Sequence, residues 1–177
     1  MAICNALTGN IYKSCDNNTG GVTEIYIADY DNVEVITASG TPEEITAITM
    51  AATTFFYKFD INRNTSSIEE TATIDISAGS TYFSQTVNLM LKRRTAEKRD
   101  AIKKLTDGQK KLRVIVKDSN GIYWLVGQEE GAYTTEVGGG SGIQKGDSNG
   151  YDVVINAEEN APMLSVDPTI IAALLAP

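Results

Sequence analysis

Apolar residues recur at every second position through much of the chain. Between Thr81 and Leu91, Phe83, Gln85, Val87, Leu89 and Leu91 share one parity, and Gln85 is the single polar member. Between Ile68 and Ser77, Ala72, Ile74 and Ile76 alternate with Thr71, Thr73, Asp75 and Ser77. A period of two predicts strands with one wet face. Shorter Ile/Val/Thr-rich runs over 22–28, 32–37, 44–50, 111–117, 122–127, 132–137 and 151–157 read the same way, separated by Asp, Asn, Ser, Gly and Pro turns. Residues 54–61 and 68–77 flank the loop-like Asn62-Arg63-Asn64-Thr65-Ser66-Ser67, so the pattern predicts a projecting hairpin over 54–77.

One segment changes period. Residues 95–106 read as a helix, with Thr95 as N-cap, Glu97 in the first turn, Asp107-Gly108 as the stop and a narrow Ala101, Ile102, Leu105 stripe. A stripe that narrow lays the helix on a core rather than inside one. After it, Asn120-Gly121 between two apolar runs is a strong short-hairpin signal. Residues 1–21 are polar and turn-rich and read as an N-terminal arm. Residues 138–150 hold six glycines and read as a loop. The apolar segment 161–177 ends in a short helix with Pro168 at its first position. Many short strands, one flanking helix and no visible repeat or linker predict a single, mainly β domain over 1–177. The expected form is a barrel or sandwich of two packed antiparallel sheets with the helix at about 95–106 and a short C-terminal helix.

Composition narrows the chemistry. The 177 residues include no histidine, which removes the commonest general base, metal ligand and nucleophile partner. Adjacent carboxylates at Glu69-Glu70 and Glu158-Glu159 lie on strands, where neighbours point to opposite faces, so neither pair can flank one bond. Lys145 is followed by Gly146 rather than Ser or Thr, so the glycine run is not a phosphate loop. Asp147, Asn149 and Asp152 miss the calcium-loop spacing. No enzyme activity, metal or other cofactor is expected. Cys4 and Cys15 read as reduced thiols, and the N-terminus lacks the basic and apolar regions of a signal peptide. The longest apolar run, 170–176, is seven residues where a membrane span takes roughly 20, so no membrane partner is expected.

Charge is distributed unevenly. The net charge is −8, yet residues 92–113 contain ten of the fifteen basic side chains against Glu97, Asp100 and Asp107. This basic window allows nucleic-acid contact, an assembly face that meets an acidic neighbour, or a solvated helix face. The overall acidity weighs against the first.

The pattern Cys4…Leu7…Gly9…Cys15…Gly20-Gly21-Val22…Ile25-Tyr26 resembles structural proteins of phages that infect Bacteroidetes. So do Thr65-Ser66-Ser67, the Phe83…Val87-Asn88-Leu89 strand followed by the basic helix, and Gly146-Asp147-Ser148-Asn149-Gly150-Tyr151. The likeness runs from residue 4 to about 160, through individually loose motifs. The element order is also similar to the tail-tube/Hcp fold. The resemblance implies a virion protein of the tail, assembled in the host bacterial cytoplasm. Its subunits would form homo-oligomeric rings, hexameric in the family, that stack into a tube for genome passage. Its partners would be itself and other tail or neck proteins, with DNA as non-sticking cargo. A neck or terminator ring on the same fold is the alternative, and a binding module of a tail fibre or tip the second.

Under that reading Lys98, Arg99, Lys103, Arg63, Asn64, Ile170, Ile171, Leu174 and Leu175 are candidate subunit contacts. Glu24, Asp29, Glu34, Glu69, Asp75 and Glu136 are candidate carboxylates of a lumen that repels phosphate.

Overall fold

A computed structural model describes residues 16–176 together with Ile11. The predicted arm 1–21 and both cysteines therefore lie wholly or largely outside the described residues. The chain is β-rich, and its described residues form eleven strands in one mixed sheet that does not close. In chain order these are β1 (Val22–Asp29), β2 (Val33–Ser39), β3 (Glu44–Met50), β4 (Tyr57–Phe59), β5 (Ser67–Asp75), β6 (Ser80–Lys92), β7 (Leu112–Asp118), β8 (Tyr123–Val126), β9 (Ala132–Gly140), β10 (Gly150–Glu159) and β11 (Leu164–Val166). Helix α1 (Ala96–Thr106) precedes β7, and α2 (Pro168–Leu174) closes the described chain.

The sheet forks at β7. One edge of β7 is taken by β1, antiparallel from Val22↔Asp118 to Asp29↔Leu112. The other edge is shared: β8 pairs Val114–Lys117, then β9 enters through Leu112↔Ala132. One limb runs β8-β11-β3-β2 and the other β9-β10-β6-β5. Both faces of the β1–β7 pair are buried, which the near-continuous apolar run Leu112-Arg113-Val114-Ile115-Val116 requires. Ile25, Ile27, Leu112, Val114 and Val116 enter one core with Val87, Leu89, Leu91, Val153, Ile155, Ile102 and Leu105. Tyr26, Ala28 and Ile115 enter the other with Ile45, Phe56, Leu125, Val166, Ile171 and Leu174. Strand alternation thus sends successive residues of one pair into two different cores.

Helix α1 forms as its sequence predicts: Thr95 caps it by accepting from Lys98 N at 3.2 Å, and Ile102 and Leu105 are its buried residues. The 118–121 turn is also as read, with Asp118 Oδ1 accepting from Asn120 N and Ile122 N at 2.9 Å.

The 54–77 hairpin is not. Its two arms do not pair with each other: β4 pairs β1 (Ile25↔Phe59), while β5 pairs β6 from Ser67↔Asn88 to Asp75↔Ser80. The hairpin is β5–β6. Its turn is nucleated by Asp75, whose Oδ1 accepts from Ser77 N at 2.8 Å, Ser77 Oγ at 2.6 Å and Ala78 N at 3.1 Å. Local order suggested the first pairing, but the apolar side of β4 belongs with a strand thirty residues upstream. The glycine loop is also shorter than expected, since Gly138–Gly140 continue β9 opposite Gly150–Asp152. The ring of Tyr151 covers Gly139, where a Cβ would stand 2.8 Å from it.

Candidate assembly surfaces

The β5-β6-β10-β9 limb packs one face on the first core and turns the other outward. Register puts Glu69, Asp75 and Glu136 on that outer face, with Asp152 and Glu158. Around them stand Thr71, Thr73, Ser84, Thr86, Asn88 and Asn156; the strand positions of this face carry no basic residue until Lys92 at its end, and Lys111 reaches its border over the Tyr133 ring. Half of the predicted lumen carboxylates therefore share one surface. The other three do not join them. Glu24 lies half-buried on β1, bonded by the Tyr26 hydroxyl and 3.5 Å from Lys117 Nζ. The Tyr26 hydrogen bond holds the Glu24 carboxyl below the usual range, and burial together with that carboxylate raises the Tyr26 phenol. Asp29 pairs with Lys110 at 2.5 Å, and Glu34 is exposed on β2, at the far end of the other limb. Asp75 is committed to its turn, whose N–H and hydroxyl donors lower its pKa.

Among the described residues three strands have an unpaired edge. β5 ends one limb with nine residues, free of Pro, Lys and bulges, β2 ends the other with two register shifts against β3, and the three-residue β4 pairs only β1. A long edge without bulges, such as that of β5, is a template for strand addition, whereas bulges like those of β2 blunt one.

The basic window divides by role. Arg113 is buried at 7% exposure: its guanidinium donates to Tyr30 O at 3.2 Å, Val33 O at 2.8 Å and Gln128 O at 3.1 Å, and stacks 3.9 Å from the Tyr30 ring centroid. It clamps the start of β2 to the β8–β9 loop and is structural. Lys111 sits over Tyr30 and Tyr133, Arg94 over Tyr151, and Lys104 pairs with Asp100 at 2.9 Å. Of the predicted contacts on α1, Lys98 is half-buried and donates to Lys92 O at 2.5 Å, whereas Arg99 and Lys103 are exposed and make no salt bridge among the described residues. Arg63 and Asn64 sit exposed in the β4–β5 loop, where Asn64 adopts φ +59. Ser66 of that loop accepts from Met90 N, so Arg63 and Asn64 lie at the opposite end of β6 from the β5–β6 turn.

The C-terminal apolar contacts are consumed within the chain. Ile171 and Leu174 are buried in the second core, Ile170 and Leu175 pack half-buried against it, and Phe56 N donates to Leu174 O at 2.8 Å. A seven-residue helix has no stability alone, and its own chain supplies the surface that it needs.

The sequence reading missed a buried polar cluster where the limbs part. Glu159, at 3% exposure, accepts from the backbone N–H groups of Glu129, Glu130 and Gly131 at 3.1–3.3 Å. Gln85, at 2%, accepts from Gly127 N at 3.3 Å, and Gly127 holds φ +75 where a Cβ would meet Ala132 N at 2.6 Å. Burial keeps the Glu159 carboxyl above the usual range, opposed by those three donors. Strand parity was the available signal, since Glu159 continues Val153, Ile155 and Ala157, and Gln85 continues Val87 and Leu89.

A cleft of about 760 Å³ lies between β4 and α1. Ile27, Phe59, Leu91, Ala101 and Leu105 form its floor, and its rim mixes Lys58, Lys98, Lys104 and Lys110 with Asp29, Asp60, Glu97 and Asp100. A second groove of about 450 Å³ is lined by Tyr82, Lys111, Tyr133, Glu158 and Asn160. Among the described residues no group of His, Cys, Asp and Glu is arranged to hold a metal, and no helix is long and apolar enough to cross a membrane. No family model, curated protein or solved structure matches the chain.

Proposed function

We propose that the chain is a tail tube subunit of a phage, whose work is assembly into homo-oligomeric rings that stack around a bore for DNA. The observation that carries this is the outer face of the β5-β6-β10-β9 limb: a broad polar surface bearing Glu69, Asp75, Glu136, Asp152 and Glu158 without a strand-body cation. A surface of that charge repels phosphate and lets a polyanion slide. The open edge of β5 fits lateral growth by strand addition from copy to copy. In this reading the open sheet and its flanking helix are one subunit's share of a tail-tube/Hcp-like barrel, closed only in the ring.

Negative-stain microscopy over a concentration series, with sizing alongside, tests this. Rings or tubes with an open bore are the expected result. A 19.1 kDa monomer at every concentration, unchanged by adding preformed tail assemblies, counts against it. The fibre or tip reading draws on one feature, the groove between the half-exposed Tyr82 and Tyr133, and glycan binding that is lost in Tyr133→Ala would favour it.

A further inference from the structure

We propose that the groove between Tyr82 and Tyr133 binds a neutral oligosaccharide segment, with the two rings as stacking platforms and Glu158 as the hydrogen-bonding group between them. The site is complete in one chain; it deepens the fibre or tip reading and rests on that reading for its setting. Register fixes the arrangement. Strand β10 runs between β9 and β6. Tyr133 of β9 stands opposite Asn156, Glu158 stands opposite Ser84 of β6, and Tyr82 follows one step past the Phe83↔Glu159 pair. Glu158 therefore lies midway between the two tyrosines, on the strand that separates them. Two strand spacings across the sheet, and the run from Asn156 to Asn160 along it, put the tyrosine Cα atoms about 16 Å apart.

The lining selects the ligand by elimination. Glu130 and Glu158 repel phosphate and other anions, and Lys111, whose ammonium already sits over the Tyr133 ring, disfavours a cation. No aliphatic side chain lines the groove, so an apolar peptide side chain finds no anchor there. What fits is an uncharged ligand with apolar ring faces and an edge dense in hydroxyls. Tyr82 and Tyr133 are 39% and 37% exposed, so each has ring surface left to cover. Among the described residues, the polar side-chain atoms of Tyr82, Glu130, Tyr133, Glu158 and Asn160 make no hydrogen bond or salt bridge. The carboxylates and the Asn160 side-chain carbonyl can accept from sugar hydroxyls, and the Lys111 ammonium can donate to them. The groove volume of about 450 Å³ lies in the range of small-ligand sites. A span of about 16 Å exceeds one sugar ring, so only linked sugars reach both platforms.

The test applies the full chain to an array of neutral and acidic glycans, from mono- to hexasaccharides, followed by titration calorimetry with the tightest neutral hit. Saturable binding to neutral oligosaccharides is expected, absent for monosaccharides and weaker for acidic glycans of equal length. Tyr82→Ala and Tyr133→Ala should each weaken it by about tenfold while keeping the parent's circular dichroism spectrum. Glu34→Gln, at the far end of the other limb, should bind as the parent does. An array without a neutral hit, hits confined to acidic glycans, or folded Tyr82→Ala and Tyr133→Ala chains that bind like the parent would overturn the site. Adsorption of the same chain to bacterial cells judges the fibre reading separately. Adsorption without array binding would sink the site and leave that reading standing, and array binding by chains that build tubes would keep the site and sink that reading.

Discussion

The β1–β7 pair and the β5–β6 ribbon are both antiparallel pairs of similar register length, yet the chain treats them in opposite ways. In β1–β7 both parities are apolar, so each face finds a core, and Ile25, Val114 and Val116 are wholly buried. In β5 only one parity is apolar, and past Ile68 even that parity lacks a cover, so β5 is exposed from Glu69 to Asp75. Alternation alone does not decide burial. What decides it is whether a second layer exists to receive the apolar side. The ribbon keeps Ile74 and Ile76 in solvent without such a layer.

Substitutions that treat the two pairs alike sharpen this contrast. Ile115→Ala should cost about 2–5 kcal/mol in denaturant unfolding, since it empties space between β1, β8 and β11. Next comes Glu159→Ala, which leaves three N–H groups of the 129–131 loop without their acceptor and should cost about 1–3 kcal/mol. Thr95→Ala, which removes a helix cap bordering neither pair, should cost about 1 kcal/mol. Ile74→Thr on the ribbon should stay within about 0.5 kcal/mol for the monomer. An Ile74→Thr loss as large as that of Ile115→Ala would break the comparison, because the ribbon would then be part of the monomer's core.

Glu159 adds a pH test between these extremes. Its folded carboxyl titrates above its unfolded value, so the folded state holds the proton more tightly. Its contribution is therefore full below the unfolded carboxylate value and is lost as pH rises through the folded one. Glu159→Gln should flatten stability across that window, and an unchanged pH slope would remove the residue from the account.

Much of this was legible in the chain, and each failure has its own physical cause. The 44–50 strand, the 95–106 helix with its Thr95 cap and the Asp118–Gly121 turn were readable because each is specified by neighbours in sequence. The partner of β4 was not, because pairing is a property of distant residues: Tyr57–Phe59 look like one arm of a hairpin until Ile25–Ile27 claim them. Strand β11 is only three residues long, too short for a period to show. Gly138–Gly140 read as loop because glycine composition hides a strand whose lack of side chains is what Tyr151 needs. At the surface, parity brought Glu69, Asp75 and Glu136 together once the register was known, but nothing in the sequence separates them from Glu24, whose parity turns it toward Lys117.

The union of β1 with β7 also sets a schedule. Thr23 bonds across to Lys117, 94 residues downstream. At about 5–20 residues per second, a ribosome takes on the order of 5–20 s to supply that partner. The β5–β6 hairpin needs only its own two arms, and hairpins close in about 1–10 μs once both are available. Each nascent chain thus presents its ribbon before the strand that divides its two cores has been made. On a polysome, where many such chains lie close together, the order of synthesis puts the exposed Ile74 and Ile76 ahead of the strand that completes both cores.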